Sequence, residues 1–309
     1  MKYFINVQGG TGLNFGLASF LVAAKAEHPD DEYFVSSPYY DIFESCPAVS
    51  GVYKPQEMRD FIFDAKAQNG TIINHRLYDI SDFIFKKMNY SQAWAKLLGY
   101  DWEDTPNGTK VTSVLNPLKP YPFLQNQVDQ MKKAIADKGF KNYILVQFQG
   151  GQSPLVQVPD NDWSKVPYDY INEPLKRHYP IDMAQKFCEL YHEKHPETAI
   201  INYCLPNEPQ VVGDYIFTAV MPYLAYYLLA KDAVKAVTID SSLQHLIAGV
   251  TPTTVIWGHS LPENFGYSYN NNIVQNCRRD DILYFTALGA SGARVDYIKP
   301  EDLLEAADK

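Results

Sequence analysis

Two short apolar runs in this chain end the same way. Residues 3–10 read YFINVQGG and residues 143–151 read YILVQFQGG. Each is rich in β-branched and aromatic residues, as a strand buried on both faces would be, and each stops on a glycine pair that permits a sharp turn. A buried strand, a glycine turn and a helix is how a doubly wound α/β sheet begins. Two such openings predict two sheets. Length agrees, because single cores stop growing near about 250–300 residues and this chain has 309. The second run follows FLQNQVDQMKKAIADKGF, an amphipathic helix expected to stop at Gly139, and the Pro-rich connector LNPLKPYPF lies upstream, at Leu115 to Phe123. The division is therefore expected near residue 140, with 1–140 and 141–309 as two Rossmann-like domains.

The segments in between alternate in type. In the first half Leu17 to Ala26 reads as an apolar helix, EYFVSS as a second strand, PYYDIFESCPAVSGVY as a short helix leading to a third, and GTIINH as another strand. SDFIFKKMNYSQAWAKLLG reads as one helix ending at Gly99. In the second half IDMAQKFCELYHEKHP places Met183, Phe187, Leu190 and Tyr191 on one helical face. TAIINYCLP is a strand, VMPYLAYYLLAKD a helix, and KPEDLLEAADK a closing helix started by Pro300. Alternation of this kind predicts an α/β fold with a parallel sheet in each half.

The segment AVTIDSSLQHLIAGVTPTTVIWG, Ala236 to Gly258, is the most informative. A buried strand gives way at Asp240-Ser241-Ser242 to a helix carrying Leu243, Leu246, Ile247 and Val250 at helical spacing, Gly249 marks its stop, and Thr253 to Trp257 is a second strand. Ser241 or Ser242 can cap the helix, and the unpaired N–H groups of its first turn suit an anion such as a pyrophosphate. Asp240 beside them can accept hydrogen bonds from sugar hydroxyls. His245 is either a ligand contact or a core histidine.

Several classes are disfavoured. The loop GGTGLNFG supplies Gly10 and Gly12, but Phe15 stands where a dinucleotide fingerprint needs its last glycine, and the second strand ends in Ser36-Ser37 with no ribose-binding carboxylate. No phosphate-binding G-x-x-x-x-G-K-[ST] occurs. The net charge of -9 argues against a duplex nucleic-acid partner. Cys46, Cys188, Cys204 and Cys277 form no C-x-x-C pair, so neither zinc nor a disulfide framework is expected. The chain opens directly into a strand and has no apolar run near the about 18 residues a bilayer needs, so it reads as cytoplasmic with no transmembrane segment. The N-x-S/T patterns at Asn69, Asn89 and Asn107 then carry no meaning. Asp160 to Asp162 has a D-x-D form but lies in a Pro-rich stretch away from any strand end, and His192 and His195 read as solvated histidines, so no metal is expected.

TIDSSLQHLIAGVTPTTVIWG resembles the D-[ST]-G-x-x-H-L-A-A-x-x-x-P-x-x-x-x-[FW]-G signature of glycosyltransferase family 9, which includes the lipopolysaccharide heptosyltransferases. PLKRHYPIDMAQKFCELYHEKHPETAIINYCLPNE is similar to that family's basic residue, W-P, helix, strand and G-x-x-x-E segment, with Tyr179 for the tryptophan. GLASFLVAAKAEHPDDEYFVSSPYYDIFESCPAVSGVY resembles its first helix and second strand, and the likeness fades between about residues 60 and 140.

The resemblance implies a GT-B architecture, two Rossmann-like domains facing across a cleft, with a nucleotide-sugar donor on the C-terminal domain and the acceptor on the N-terminal one. It implies that Asp240 contacts the donor sugar, that Ser241, Ser242 and Leu243 hold the pyrophosphate with Gly150 and Gly151 near them, that Lys176 or Arg177 neutralises the leaving diphosphate, and that Glu208 lies by the nucleotide. Gly10, Thr11, Gly12 and Leu13 form the acceptor-side loop. One departure matters: the family's presumed base is an aspartate, and alignment puts Asn14 there, whose amide cannot take a proton. Either the base is elsewhere, with His75, Asp79 and Asp82 after the strand TIINH as the candidates, or the reaction is retaining, or this copy has lost the activity. The long irregular stretch 151–178 has the composition of a lid. The reading is a metal-independent glycosyltransferase acting on a glycan or glycolipid, with no cofactor beyond its nucleotide-sugar substrate. Its rivals are a transferase for a modified nucleic-acid base or protein side chain, and a catalytically silent nucleotide-sugar-binding protein.

Overall fold

The computed structural model describes residues 1–85, 87–105, 122–150, 178–204, 213–218, 223–258, 261–274, 295 and 297–309. The chain forms two compact units.

The first unit is built on a parallel sheet of order β3-β2-β1-β4, from β1 (Lys2–Asn6), β2 (Glu32–Ser36), β3 (Val49–Tyr53) and β4 (Thr71–Asn74). Helix α1 (Thr11–Glu27) follows β1 and buries Phe15, Leu17, Ala18, Phe20 and Leu21. The short α2 (Tyr40–Glu44) leads to β3 as expected. Helix α3 (Met58–Ala67) lays Phe61 and Ala65 over Phe4 and Phe34, whose rings stack at 4.5 Å. The stretch read as one helix to Gly99 is two, α4 (Ser81–Ile84) and α5 (Tyr90–Leu98). Asn89 divides them: its side chain accepts from the Gln92 N–H at 2.8 Å, and Gln92 Oε1 accepts from the Asn89 N–H at 2.8 Å. That reciprocal capping starts a new helix where apolar spacing alone would run on.

The second unit carries six parallel strands in the order β10-β9-β8-β5-β6-β7. They are β5 (Asn142–Gln147), β6 (Thr198–Cys204), β7 (Tyr215–Thr218), β8 (Lys235–Ile239), β9 (Thr253–Trp257) and β10 (Asn271–Val274). Among the described residues its helices are α6 (Pro122–Asp137), α7 (Ile181–Lys194), α8 (Tyr223–Ala230), the single turn α9 (Ser242–Leu246) and α11 (Pro300–Ala307), while α10 (Pro262–Phe265) groups with the first unit. Val146, Phe148, Phe187, Tyr191, Val237, Ile256 and Leu303 share one core. Of the face read from sequence, Phe187 and Tyr191 are buried and Met183 packs against them half-buried.

The division differs from a boundary at 140. Helix α6 belongs to the second unit, because Leu124, Val128 and Ile135 are buried, the Tyr215 hydroxyl donates to the Ala134 carbonyl at 2.6 Å, and Lys132 pairs with Asp232. Residues 262–268 belong to the first. There the Asn264 amide donates to the Phe83 and Met88 carbonyls at 2.8 and 3.0 Å, and Phe265 meets the rings of Phe83 and Tyr90. Among the described residues, no helix is long and apolar enough to cross a membrane.

The histidines of α7 are paired rather than solvated. His192 Nε2 lies 3.0 Å from Asp214, and His195 Nε2 lies 3.1 Å from Asp308. Asp308 also meets Lys194 at 2.7 Å and Lys235 at 2.9 Å, tying α7 and β8 to the end of α11. Burial alone would raise this carboxyl, but the hydrogen bonds from Lys194, Lys235 and His195 outweigh it and hold its pKa well below the usual range. A depressed carboxylate contributes stability above its unfolded pKa of about 3.9 and loses it as pH falls toward the folded value. Asp308→Asn is therefore expected to destabilise the protein by about 1–2 kcal/mol at pH 7, with the gap narrowing below about pH 4. Urea unfolding at pH 7 and pH 3 measures it. A gap that widened on acidification would contradict the assignment.

Candidate functional site

Both sheets reverse direction of winding after their third strand, which places the fourth on the far side of the first. In the first unit β2 lies on one side of β1 and β4 on the other; in the second, β6 and β8 flank β5. Helices after such a pair leave in opposite directions, which opens a crevice at the carboxyl ends of the strands, and ligands of open α/β sheets bind there. Each glycine pair follows the central strand of its unit. Each polar residue singled out from the sequence, His75 or Asp240, follows the strand across the crevice.

In the second unit the two lips touch. A Cβ placed on Gly150 would lie 3.0 Å from the Asp240 carbonyl oxygen, 3.1 Å from Ser241 Cβ and 3.2 Å from Ile239 Cγ2. Only glycine lets the two loops approach so closely. Asp240 is buried, and its N–H donates to the Ile256 carbonyl at 3.0 Å, which carries the ladder one residue past β8. Ser241 does not cap α9. Its hydroxyl turns inward to Gln147 Oε1 and lies 3.3 Å from Thr238 Oγ1, so no side chain closes the first turn of the helix. The expected cap is thus absent, and the reason is a better acceptor on the neighbouring strand. Because α9 is one turn long, its dipole is small, and an anion here would be held by hydrogen bonds more than by the macrodipole.

Leu243 buries its side chain and can serve a ligand only through its backbone. His245 is 6% exposed, with Nε2 3.3 Å from the amide nitrogen of the fully buried Gln244. It is buried beside Gln244, as a core histidine would be. The chain returns beside Gly150, where His178 pairs with Gln149 and the Tyr179 N–H donates to the Phe148 carbonyl at 2.8 Å. Tyr179, which stands for the family's tryptophan, is buried with its hydroxyl on the Ile298 carbonyl at 2.9 Å. Gly151, Lys176, Arg177, Glu208, the D-x-D stretch and nearly all of the expected lid lie outside the described residues.

In the first unit Gly9 turns at φ 107, a left-handed conformation that side chains resist, and a Cβ on it would strike Leu13 Cδ1 at 2.6 Å. Gly10 heads α1, with no side-chain cap and no acidic residue in the first turn, so Thr11, Gly12 and Leu13 line the start of a long helix at the crevice. Asn14 is fully buried. Its Nδ2 donates to the Gly10 carbonyl at 2.9 Å and reaches the Gly9 carbonyl at 3.4 Å, while its Oδ1 accepts from the Ser37 hydroxyl at 2.7 Å. This amide locks the glycine loop to the end of β2, and an amide cannot take a proton.

The three candidate bases separate. Asp79 is exposed and 4.0 Å from Arg76; Asp82 is partly exposed and pairs with Lys96 at 3.2 Å. Both are surface carboxylates. His75 stands apart: its N–H continues the ladder to the Asn6 carbonyl at 3.0 Å, and its ring stacks on Trp94 at 5.5 Å and 13°. Trp94 is fully buried, and Tyr90, one turn earlier on α5, donates to the Leu13 carbonyl at 2.7 Å. Neither aromatic is legible as part of a site, since only the folded chain brings α5 to the glycine loop. Among the described residues no group of three or more His, Cys, Asp or Glu is placed to hold a metal ion.

No family model matches the chain, and no curated protein matches it in sequence. Solved structures do. The glycosyl transferase family 9 protein of Veillonella parvula superposes with a TM-score of 0.67 at 12% identity, covering 99% of this chain and 96% of the other. E. coli ADP-heptose lipopolysaccharide heptosyltransferase II gives 0.59 at 12% identity over 100% and 98%. E. coli heptosyltransferase WaaC, solved with ADP, gives 0.55 at 13% identity over 99% and 98%. At these identities the likeness is one of fold, and it extends through the stretch where the sequence resemblance fades. The chain has the α/β fold of these glycosyltransferases, with two parallel sheets.

Proposed function

We propose that the protein is a glycosyltransferase that moves a sugar from a nucleoside-diphosphate sugar, held on the second unit, to a hydroxyl of a glycan or glycolipid held on the first. The observation that carries the reading is the closed lip of the second unit. Gly150 lies against the Asp240–Ser241 turn, Ser241 is drawn inward by Gln147, and the first turn of α9 is left without a side-chain cap at the carboxyl end of the sheet. Backbone N–H groups of Ser242 and Leu243 beside a buried carboxylate suit a diphosphate next to a sugar: the amides take the phosphate oxygens and Asp240 takes the hydroxyls. Lys176 or Arg177 supplies the positive charge that a departing diphosphate needs. Catalysis on this reading is electrostatic, with hydrogen-bond donors fixed where charge develops, and requires no metal.

Calorimetric titration with ADP, GDP, UDP and CDP tests it. One of the four is expected to bind saturably. Lys176→Ala should weaken that diphosphate about tenfold, roughly 1.4 kcal/mol. Asp240→Ala should leave it within about threefold and weaken the corresponding nucleotide sugar about tenfold, because its carboxylate faces the sugar. Binding of none of the four would overturn the reading and leave a fold without its chemistry.

A further inference from the structure

We infer that His75 is the catalytic base of the first unit, taking the proton of the acceptor hydroxyl on Nε2; the inference rests on the sugar-transfer reading above. The position that the resemblance assigns to a carboxylate is used up, since every polar atom of the Asn14 side chain is engaged by Gly9, Gly10 or Ser37. Directly across the crevice, the first residue past β4 is His75. The Cε1 corner of its ring, bonded to both nitrogens, lies 3.7 Å from where a Cβ on Gly9 would sit. The imidazole thus closes on the bare face of the glycine loop.

Its hydrogen bonds fix its chemistry. Nε2 is buried and has no hydrogen-bond partner among the described residues, while the ring is hydrogen-bonded to the backbone of Gln8. That bond belongs to Nδ1, whose proton is donated to the carbonyl, so in the neutral ring the lone pair is on Nε2. A buried acceptor with nothing to accept is rare in a folded protein and marks a place where a ligand group completes the set. The stack on fully buried Trp94 holds the ring plane. Burial lowers the imidazole pKa, the Gln8 carbonyl offsets part of this, and the ring is neutral at pH 7. Among the described residues, the titratable and charged groups near it include Tyr78, whose ring lies 6.0 Å away on the same segment, the exposed Arg76–Asp79 pair, and Tyr90, whose ring meets Trp94.

The step balances within the proposed reaction. The acceptor O–H proton passes to Nε2 as the acceptor oxygen bonds to the anomeric carbon of the donor. The bond from that carbon to the diphosphate oxygen breaks, and its electron pair leaves with the diphosphate. The imidazolium returns the proton to solvent after product release.

Two measurements test the assignment. Side-chain 15N–1H correlation spectra of the labelled full chain, assigned with His75→Gln, are expected to show a neutral ring at pH 7 with its proton on Nδ1. A proton on Nε2 would overturn the inference. The second follows release of diphosphate from ADP-glucose, GDP-mannose, UDP-glucose and CDP-glucose, with water and methyl glycosides as acceptors. His75→Gln and His75→Ala are expected to lose about 10²–10⁴-fold in kcat and the acid limb of the pH profile. Affinity for the diphosphate and the melting temperature should stay near wild type. A variant that keeps its rate and its acid limb removes His75 while the transfer reading stands. If wild type binds no diphosphate, or binds one and transfers to no acceptor, both readings fall together.

Discussion

Asn14→Asp, the substitution that restores the carboxylate of the resembled family, is expected to destabilise the protein by about 3–4 kcal/mol at pH 7 and to create no activity. The site is built for an amide. Asn14 is fully buried, its nitrogen faces the carbonyls of Gly10 and Gly9, and its oxygen accepts from Ser37. A carboxylate would turn both donor contacts into repulsions and leave one hydroxyl to satisfy a buried charge. The acid can avoid this by staying protonated, which bounds the penalty: each pH unit above its unfolded pKa of about 3.9 costs about 1.36 kcal/mol. A folded pKa raised in this way makes the variant lose stability as pH rises through the unfolded value. Urea unfolding of both proteins at pH 5 and pH 8 should therefore show a gap that widens with pH. Equal stability at both, with a gain of turnover, would mean that position 14 faces substrate and that the loop is arranged differently in catalysis.

The segments that could be read from sequence are those whose burial is local in cause. Ala236 to Ile239 and Tyr143 to Val146 are continuous apolar runs because parallel strands are covered on both faces, and both are strands at those positions. Strand β10 reads NNIV and lies at the sheet's edge, where half-exposure dilutes any apolar pattern. Helix α3 is similarly masked, because Ile62 and Phe63 are exposed beside the buried Phe61 and blur its polar face. The break before Tyr90 was visible as Asn89 and Gln92, a capping pair, but competed with unbroken apolar spacing on either side.

The candidate sites divide by the same logic. Asp240 after a buried strand follows from the sheet rule, whereas the choice Ser241 makes between capping α9 and meeting Gln147 depends on a residue 94 positions away. The separation of His75 from Asp79 and Asp82 is of the same kind. All three follow one strand, and only the placement of Trp94 and Gly9 by the rest of the unit gives one of them a buried, unpartnered nitrogen.

Gly150→Val is expected to abolish diphosphate binding on the second unit. The obstacle is fixed on every side. The Asp240 carbonyl lies 3.0 Å from the position of a new Cβ, and the N–H of the same residue is held by Ile256. Ser241 Cβ lies at 3.1 Å, its hydroxyl anchored on Gln147, and Ile239 Cγ2 at 3.2 Å is part of the core. A first methyl group already requires one of these to move by a few tenths of an ångström, and valine adds two more atoms to the same space. Overpacking of this kind costs about 1–3 kcal/mol, and here the displaced atoms carry the amides proposed to hold the diphosphate. The other glycine pair supplies the control, since a Cβ on Gly10 would meet nothing within 4 Å. Gly10→Ala should keep both its melting temperature and its diphosphate affinity, while Gly150→Ala should fall between wild type and valine. Full affinity in Gly150→Val would place the diphosphate elsewhere, because no rearrangement that admits valine leaves the Asp240–Ser241 turn where it is.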